Sequence, residues 1–182
     1  MTPQLKCHYF ILFNSNFANS FKTFQTTLAQ NINTNLTETS SQEEINEALA
    51  SKLKIDEWCY DEAYTRIETN KAPSLKCKGT KLTKYEDNTD MYVGTLTADE
   101  IVFAGGKSLE SNQNFYLVNK AFKKNWWLLS LYSDISVYEM YGDMLFSDKY
   151  DFSRTSRPAA TIKIGITITD GDGTLENPYT IN

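Results

Sequence analysis

Apolar positions along this chain fall into helical, continuous and alternating rhythms, and each rhythm predicts a different kind of element. Ile45, Ala48, Leu49 and Leu53 recur at helical spacing while Glu43, Glu47 and Lys54 fall on the other face, which predicts a surface helix of about three turns. Ser41-Gln-Glu-Glu44 opens that helix as a capping box. Ile55-Asp-Glu-Trp58 continues or kinks it, with Trp58 as a core anchor. A second capping box, Thr97 with Glu100, follows a strand over residues 91–96 and starts a short helix near 98–104. Leu96 and Ile101 make its hydrophobic staple, and Gly105-Gly106 ends it through a left-handed turn.

The C-terminal half changes rhythm. Trp126-Trp-Leu-Leu129 is a continuous apolar run, as expected of a strand covered on both faces. Ile135-Ser-Val-Tyr-Glu-Met-Tyr141 alternates, Gly142-Asp143 makes a turn, and Met144-Leu-Phe146 returns as a hairpin. Residues 147–156 read as a polar loop, and Arg157-Pro158 opens a last strand through Ala160, Ile162 and Ile164, continued by Ile166 and Ile168. Asp170-Gly-Asp-Gly173 then turns the chain into a strand-like tail, Asn177-Pro-Tyr-Thr-Ile181.

The N-terminal part has no clear period. A short strand over residues 9–13, a helix over 17–30 and a loose stretch to Thr39 are expected, with 1–40 forming an extension or linker and 41–182 one module. Residues 61–90 read as a loop-rich surface segment. Helices first and closely spaced short strands afterwards predict an α+β fold with a mainly antiparallel sheet in the C-terminal half. Eleven Tyr and ten Phe in 182 residues strengthen that expectation, because aromatic side chains suit a pleated surface.

A net charge of −5 argues against a nucleic-acid partner, since phosphate neutralisation needs clustered Lys and Arg. Lys120, Lys123 and Lys124 around Phe122 form the one dense basic run, which reads as a solvated turn. No stretch approaches the roughly 20 apolar residues that span a bilayer, so the chain is not expected to be membrane-spanning. The opening Met1-Thr-Pro-Gln-Leu-Lys-Cys-His-Tyr-Phe-Ile-Leu-Phe13 lacks the long apolar region and small-residue cleavage site of a signal peptide.

Candidate chemistry is sparse. Cys7, Cys59 and Cys77 with the single His8 lack the paired short spacings of a zinc site, so no metal and no cofactor is expected. Cys59 and Cys77 either close a disulfide loop or remain reduced with Cys7. His8 sits far from any nucleophile elbow, and Gly105-Gly106 follows a helix where a phosphate loop must precede one. Asp170-Gly-Asp-Gly173 lacks the remaining ligands of a calcium loop, and Asp99 and Glu100 suit the first turn of a helix better than an acid/base pair. Tyr132, Tyr138, Tyr141, Asp143, Lys149, Tyr150 and Arg154 remain as candidate ligand-binding residues, with the alternative that alternate hairpin tyrosines are core.

Five segments in order, Val93-Gly-Thr-Leu-Thr-Ala-Asp-Glu-Ile-Val-Phe-Ala-Gly-Gly106, Phe115-Tyr-Leu117, Trp126-Trp-Leu-Leu-Ser130, Ser156-Arg-Pro-Ala159 and Ile168-Thr-Asp-Gly-Asp-Gly-Thr-Leu-Glu-Asn-Pro-Tyr-Thr-Ile181, resemble the C-terminal module of uncharacterised surface proteins of gut Firmicutes. The likeness spans residues 55–182 and is weaker around Ile55-Asp-Glu-Trp58, Cys59 and Cys77. It implies a C-type-lectin-like fold, similar to the sulfatase-modifying and formylglycine-generating enzymes, and an extracellular or cell-surface location. Leu131 stands where that family follows the serine with proline. The enzymes of that fold use late-chain cysteines and none follows Cys77 here, so their oxidase activity is not implied.

The expected function is therefore a non-enzymatic surface module that binds a glycan or protein through loops at about 130–154, with Tyr132 and Tyr150 exposed. One alternative is an assembly subunit whose Pro178-Tyr-Thr-Ile181 tail pairs with a neighbouring sheet edge. An enzyme of unknown class is the other, and it needs an ionisable pair that the sequence does not offer.

Overall fold

The computed structural model describes residues 15–59, 62–76, 81–85, 87–115, 117, 124–172 and 176–181; the side chains of 15–18, Trp58, Cys59 and Leu82 lie outside that description. The expected strand over 9–13, the Cys59–Cys77 pairing, the anchoring by Trp58 and most of the basic run before the double Trp fall outside it too.

Helix α1 (Ser15–Ile32) turns Phe21, Gln25 and Ala29, one helical turn apart, into the interior. Residues 15–40, expected as an extension or linker, thus contribute to the core. Helix α2 (Gln42–Lys52) starts at the expected box: Glu44 N–H donates to Ser41 Oγ at 3.3 Å and Ser41 N–H to Glu44 Oε2 at 2.7 Å. Ile45, Ala48, Leu49 and Leu53 pack with Ala29 and Tyr92 between α1 and α2. The helix does not continue through Ile55, because Leu53 is already extended and the chain enters β1 (Trp58–Cys59), paired antiparallel with β2 (Lys81–Leu82).

The segment expected as loop-rich surface is partly core. A π-helical turn, Thr65–Thr69, buries Ile67, while Ala63 and Tyr85 are also buried. Residues 91–95 are buried throughout, but they do not form a ladder strand. Gln25 holds them: its Oε1 accepts from Tyr92 N–H at 2.7 Å and Val93 N–H at 2.9 Å, and its Nε2 donates to the Asp90 carbonyl at 3.2 Å.

Helix α3 (Ala98–Phe103) matches its expected signals, with the Thr97/Glu100 box at one end and Gly105 at φ +100° after the other. The main sheet is antiparallel, in the order β3 (Trp126–Ser133), β4 (Ser136–Tyr141), β5 (Met144–Lys149). Gly142 takes φ +63° in the two-residue hairpin between β4 and β5. One sheet face packs Trp126, Leu128, Tyr138, Met140 and Leu145 against α3 and the π-helical turn. The other packs Trp127, Leu129 and Val137 against Phe21, Tyr85, Met91 and Val93. Helical segments on both faces explain the continuous Trp-Trp-Leu-Leu run.

The expected long strand after Arg157-Pro158 is broken. Residues 155–163 act as a strap: Thr155 N–H donates to Asn125, Ala159 and Gly94 exchange backbone bonds, and Lys54 N–H donates to Thr161. Isolated bridges join Gly94 to Ala159 and Leu53 to Ile162. Only beyond them do β6 (Ile168–Asp170) and β7 (Thr180–Ile181) pair, as a separate ribbon. The molecule is a mixed helix and antiparallel-sheet fold, and no described helix is long and apolar enough to cross a membrane.

Candidate functional site

The hairpin residues expected to bind a ligand are divided between the two faces and the turn of the sheet. Tyr138 is 1% exposed and belongs to the core, where its hydroxyl donates to Glu68 Oε1 at 3.0 Å. Burial and the Glu68 carboxylate raise its pKa. Of the two readings of the hairpin tyrosines, Tyr138 follows the core one: strand alternation turns it inward with Met140 and leaves Tyr141 exposed. Half-buried Tyr132 stands edge-on to Tyr64 at 4.9 Å and to Tyr138 at 5.2 Å between ring centres.

Tyr141 leans on Phe146 at 6.0 Å, and Asp143 accepts from the Ser111 hydroxyl at 2.6 Å. Tyr150 is half-buried against the opposite core. Arg154 is not a free binding cation either. Its guanidinium lies over Trp127 at 5.2 Å, pairs with the fully buried Glu139, and donates from Nη2 to Asp148 at 2.5 Å. Lys149 is exposed at the end of β5.

A cleft of about 300 Å³ opens elsewhere, where the start of α3, the 95–97 segment, the middle of β3 and the strap meet. Thr97, Asp99 and Glu100 line it, and every residue from Thr97 to Glu100 is held by a hydrogen bond. Thr97 and Glu100 close the capping box, with Thr97 N–H to Glu100 Oε2 at 2.7 Å. Ala98 N–H donates to the Ser130 hydroxyl at 2.9 Å. Asp99, 2% exposed, accepts from Arg66 Nε at 2.9 Å, Arg66 Nη2 at 2.7 Å and Ser74 N–H at 2.8 Å.

A bulge in β3 aims Ser130 at this point. Trp127 faces Glu139 and Leu131 faces Val137, so β3 advances four residues while β4 advances two. Inside that bulge Leu129 N–H donates to the Leu96 carbonyl at 2.9 Å, and Thr95 Oγ1 donates to the Trp127 carbonyl at 3.3 Å. Ser130 accepts from Ala98 N–H, and its own O–H has no acceptor among the described residues. The hydroxyl is buried and lines the cleft.

The rim carries Asp56, Glu57, Lys76 and Lys81, with Glu57 and Lys81 ion-paired across β1 and β2. Four acids and three bases line the space, giving a near-neutral mixture of donors and acceptors. Leu75, Leu96, Leu129, Ala159 and Ala160 supply apolar wall. Asp99, Glu100 and Glu57 are all committed to hydrogen bonds or ion pairs.

None of the six hairpin residues Tyr132, Tyr138, Tyr141, Asp143, Tyr150 and Arg154 lines this cleft. Arg66, Ser74, Lys76 and Ser130 do, and the sequence reading missed their convergence because it joins positions more than thirty residues apart. The one available signal was the buried acid in the first turn of α3, which needed a distant partner. Comparison with protein-family models, curated proteins and solved structures finds no match.

Proposed function

We propose that this chain is a non-enzymatic binding module of a bacterial cell surface, C-type-lectin-like in fold, that holds a neutral glycan in the cleft beside α3. The observation that carries the reading is the lining itself: alternating carboxylates, amines and hydroxyls, near-neutral in sum, with a buried Ser130 O–H left for a ligand acceptor. Sugar hydroxyls both donate and accept, so they satisfy such a lining without burying an unpaired charge. The positions that carry the family resemblance also support it. Thr97, Asp99, Glu100, Ser130 and Ala159 all border one cleft, although they come from three separate stretches of the sequence.

The test is a glycan array followed by calorimetric titration of a neutral hit. Lys76→Glu, a rim change that disturbs no fold contact among the described residues, is expected to weaken binding about tenfold, or about 1.4 kcal/mol. Ser130→Ala is expected to weaken it by a similar factor, with a stability loss of about 1 kcal/mol from the α3 cap. Failure of every neutral glycan to bind at millimolar concentration sinks the reading. So does a hit that neither substitution affects.

A further inference from the structure

The apolar part of the cleft beside α3 is aliphatic. Aromatic residues make up 13% of the chain, yet none of the described residues that line the cleft is aromatic. The flat C–H face of a plain hexose is best covered by a ring, and this lining offers none. Leu96, Ala159 and Ala160 stand there instead, and none of the three is fully buried. Small aliphatic side chains along a polar cleft suit a methyl group better than a sugar face.

Two polar groups of the same lining keep unused bonding capacity. Ser130, 6% exposed, accepts from Ala98 N–H at 2.9 Å, and its O–H finds no acceptor among the described residues. A buried donor left in that state is costly until something accepts from it. Glu100 uses one carboxylate oxygen for the cap: Oε2 accepts from Thr97 N–H at 2.7 Å and from Thr97 O–H at 2.8 Å. Its Oε1 has no donor among the described residues. The two side chains are held by consecutive backbone amides, those of Thr97 and Ala98, which keeps the free donor and the free acceptor close together.

We infer that the glycan contains an N-acetylated amino sugar and that the cleft reads its acetamido group, an inference that rests on the glycan reading above. A secondary amide carries one acceptor and one donor in a single planar unit, and here a methyl group ends it. The carbonyl accepts from Ser130 O–H, the N–H donates to Glu100 Oε1, and the methyl rests on Leu96, Ala159 and Ala160. A hydroxyl in the same place can make both bonds but leaves the aliphatic wall unfilled. A protonated amine, which only donates, leaves Ser130 O–H unpaired. The acetamido group also adds no charge to a lining that is already near neutral.

Calorimetric titration of the full chain tests the inference with two sets of short oligosaccharides, one built on glucose and one on galactose. Each set has a hydroxyl, an acetamido and an amine form of equal length and linkage. In one set at least, the acetamido form should bind about tenfold or more tighter than the hydroxyl form, and the amine form no tighter than the hydroxyl form. Ser130→Ala should bring the acetamido-to-hydroxyl ratio down to near one, whereas Lys76→Glu weakens both neutral forms alike and keeps the ratio. Ala160→Asp, at an exposed position, should lower the ratio as well by setting a charge against the methyl group. Circular dichroism verifies that each variant folds, and a ratio taken within one variant is insensitive to its stability. Acetamido and hydroxyl forms that bind alike overturn the inference and leave the glycan reading standing. An amine form that binds tightest overturns it in favour of charge recognition. A preference that survives both Ser130→Ala and Ala160→Asp overturns it too. If no neutral form in either set binds, the inference falls, and the glycan reading falls with it only when the array is also blank.

Discussion

Trp126 and Trp127 project to opposite faces of β3, and each is covered by an arginine from the loop that follows β5. Arg157 lies 5.0 Å over Trp126 and donates to the Leu117 carbonyl at 2.9 Å, while Arg154 lies over Trp127. The arginines therefore fasten the loop to the sheet, and Arg154 does so through a carboxylate with no solvent exposure at all. Burial on the central strand raises the Glu139 pKa, and the bond from Arg154, which Asp148 shares, only partly offsets this. The sign follows from proton counting. Between the ordinary glutamate value and the raised one, folded protein binds more protons than unfolded, so this group's contribution falls as pH rises through that window. Glu139→Gln should remove that decline. Thermal melts of both proteins from about pH 4 to about pH 7 should show the difference between them narrowing, or reversing, toward neutral pH. A difference that widens toward neutral pH would mean that Arg154 outweighs burial.

At the scale of elements, the short helix α3 shows what a sequence can specify locally. Six residues cannot hold a helix in water by themselves, so its ends decide whether it forms. Both ends were legible because a capping box and a glycine stop involve neighbours within four residues. The glycine that follows α3 and the one in the β4–β5 hairpin should differ in sensitivity. A Cβ on Gly106 would meet Ile101 Cγ2 at 2.5 Å and its carbonyl oxygen at 2.9 Å, whereas the space around Gly142 is open and only its φ of +63° resists a side chain. Gly106→Ala should therefore destabilise by about 2–3 kcal/mol and Gly142→Ala by about 1 kcal/mol, measured by denaturant titration. Equal losses would mean that Ile101 gives way to the new methyl group at little cost.

The isoleucine row after Pro158 teaches the opposite lesson. Its alternation was read as a strand, and the alternation is real, but a strand also needs a partner at the right register. Among the described residues the strap that leads into it meets its neighbours through isolated bridges, to Trp126, Gly94 and Leu53, rather than through a ladder. Periodicity reports which face is apolar and says nothing of what covers it. The cleft was illegible for a related reason. Arg66 with Asp99, and Ser130 with Ala98, meet only because the π-helical turn and the β3 bulge bring them together, and neither irregularity has a period to read.

At the scale of the whole molecule, the pair formed by α1 and α2 must be joined to the sheet, and apolar packing is only part of the connection. Gln25, 1% exposed on α1, makes with its amide the bonds that a neighbouring strand would otherwise make for residues 90–93. The Tyr85 hydroxyl closes the group, donating to the Val93 carbonyl and lying 3.2 Å from Gln25 Oε1. Four backbone groups of an irregular buried segment are thus satisfied through side chains of α1 and of the loop before it. This explains how residues 91–95 stay buried without being a strand. Gln25→Leu keeps the volume but orphans the Tyr92 and Val93 N–H groups, and should cost about 3 kcal/mol. The loss should also be visible in space. Amide exchange should accelerate at Tyr92 and Val93 and along α1, while β4, at the centre of the sheet, stays protected. If β4 loses protection in step with α1, the helices and sheet unfold as one unit and Gln25 is one core contact among many. If α1 and residues 92–93 open first, this single amide is the joint between the two halves of the fold.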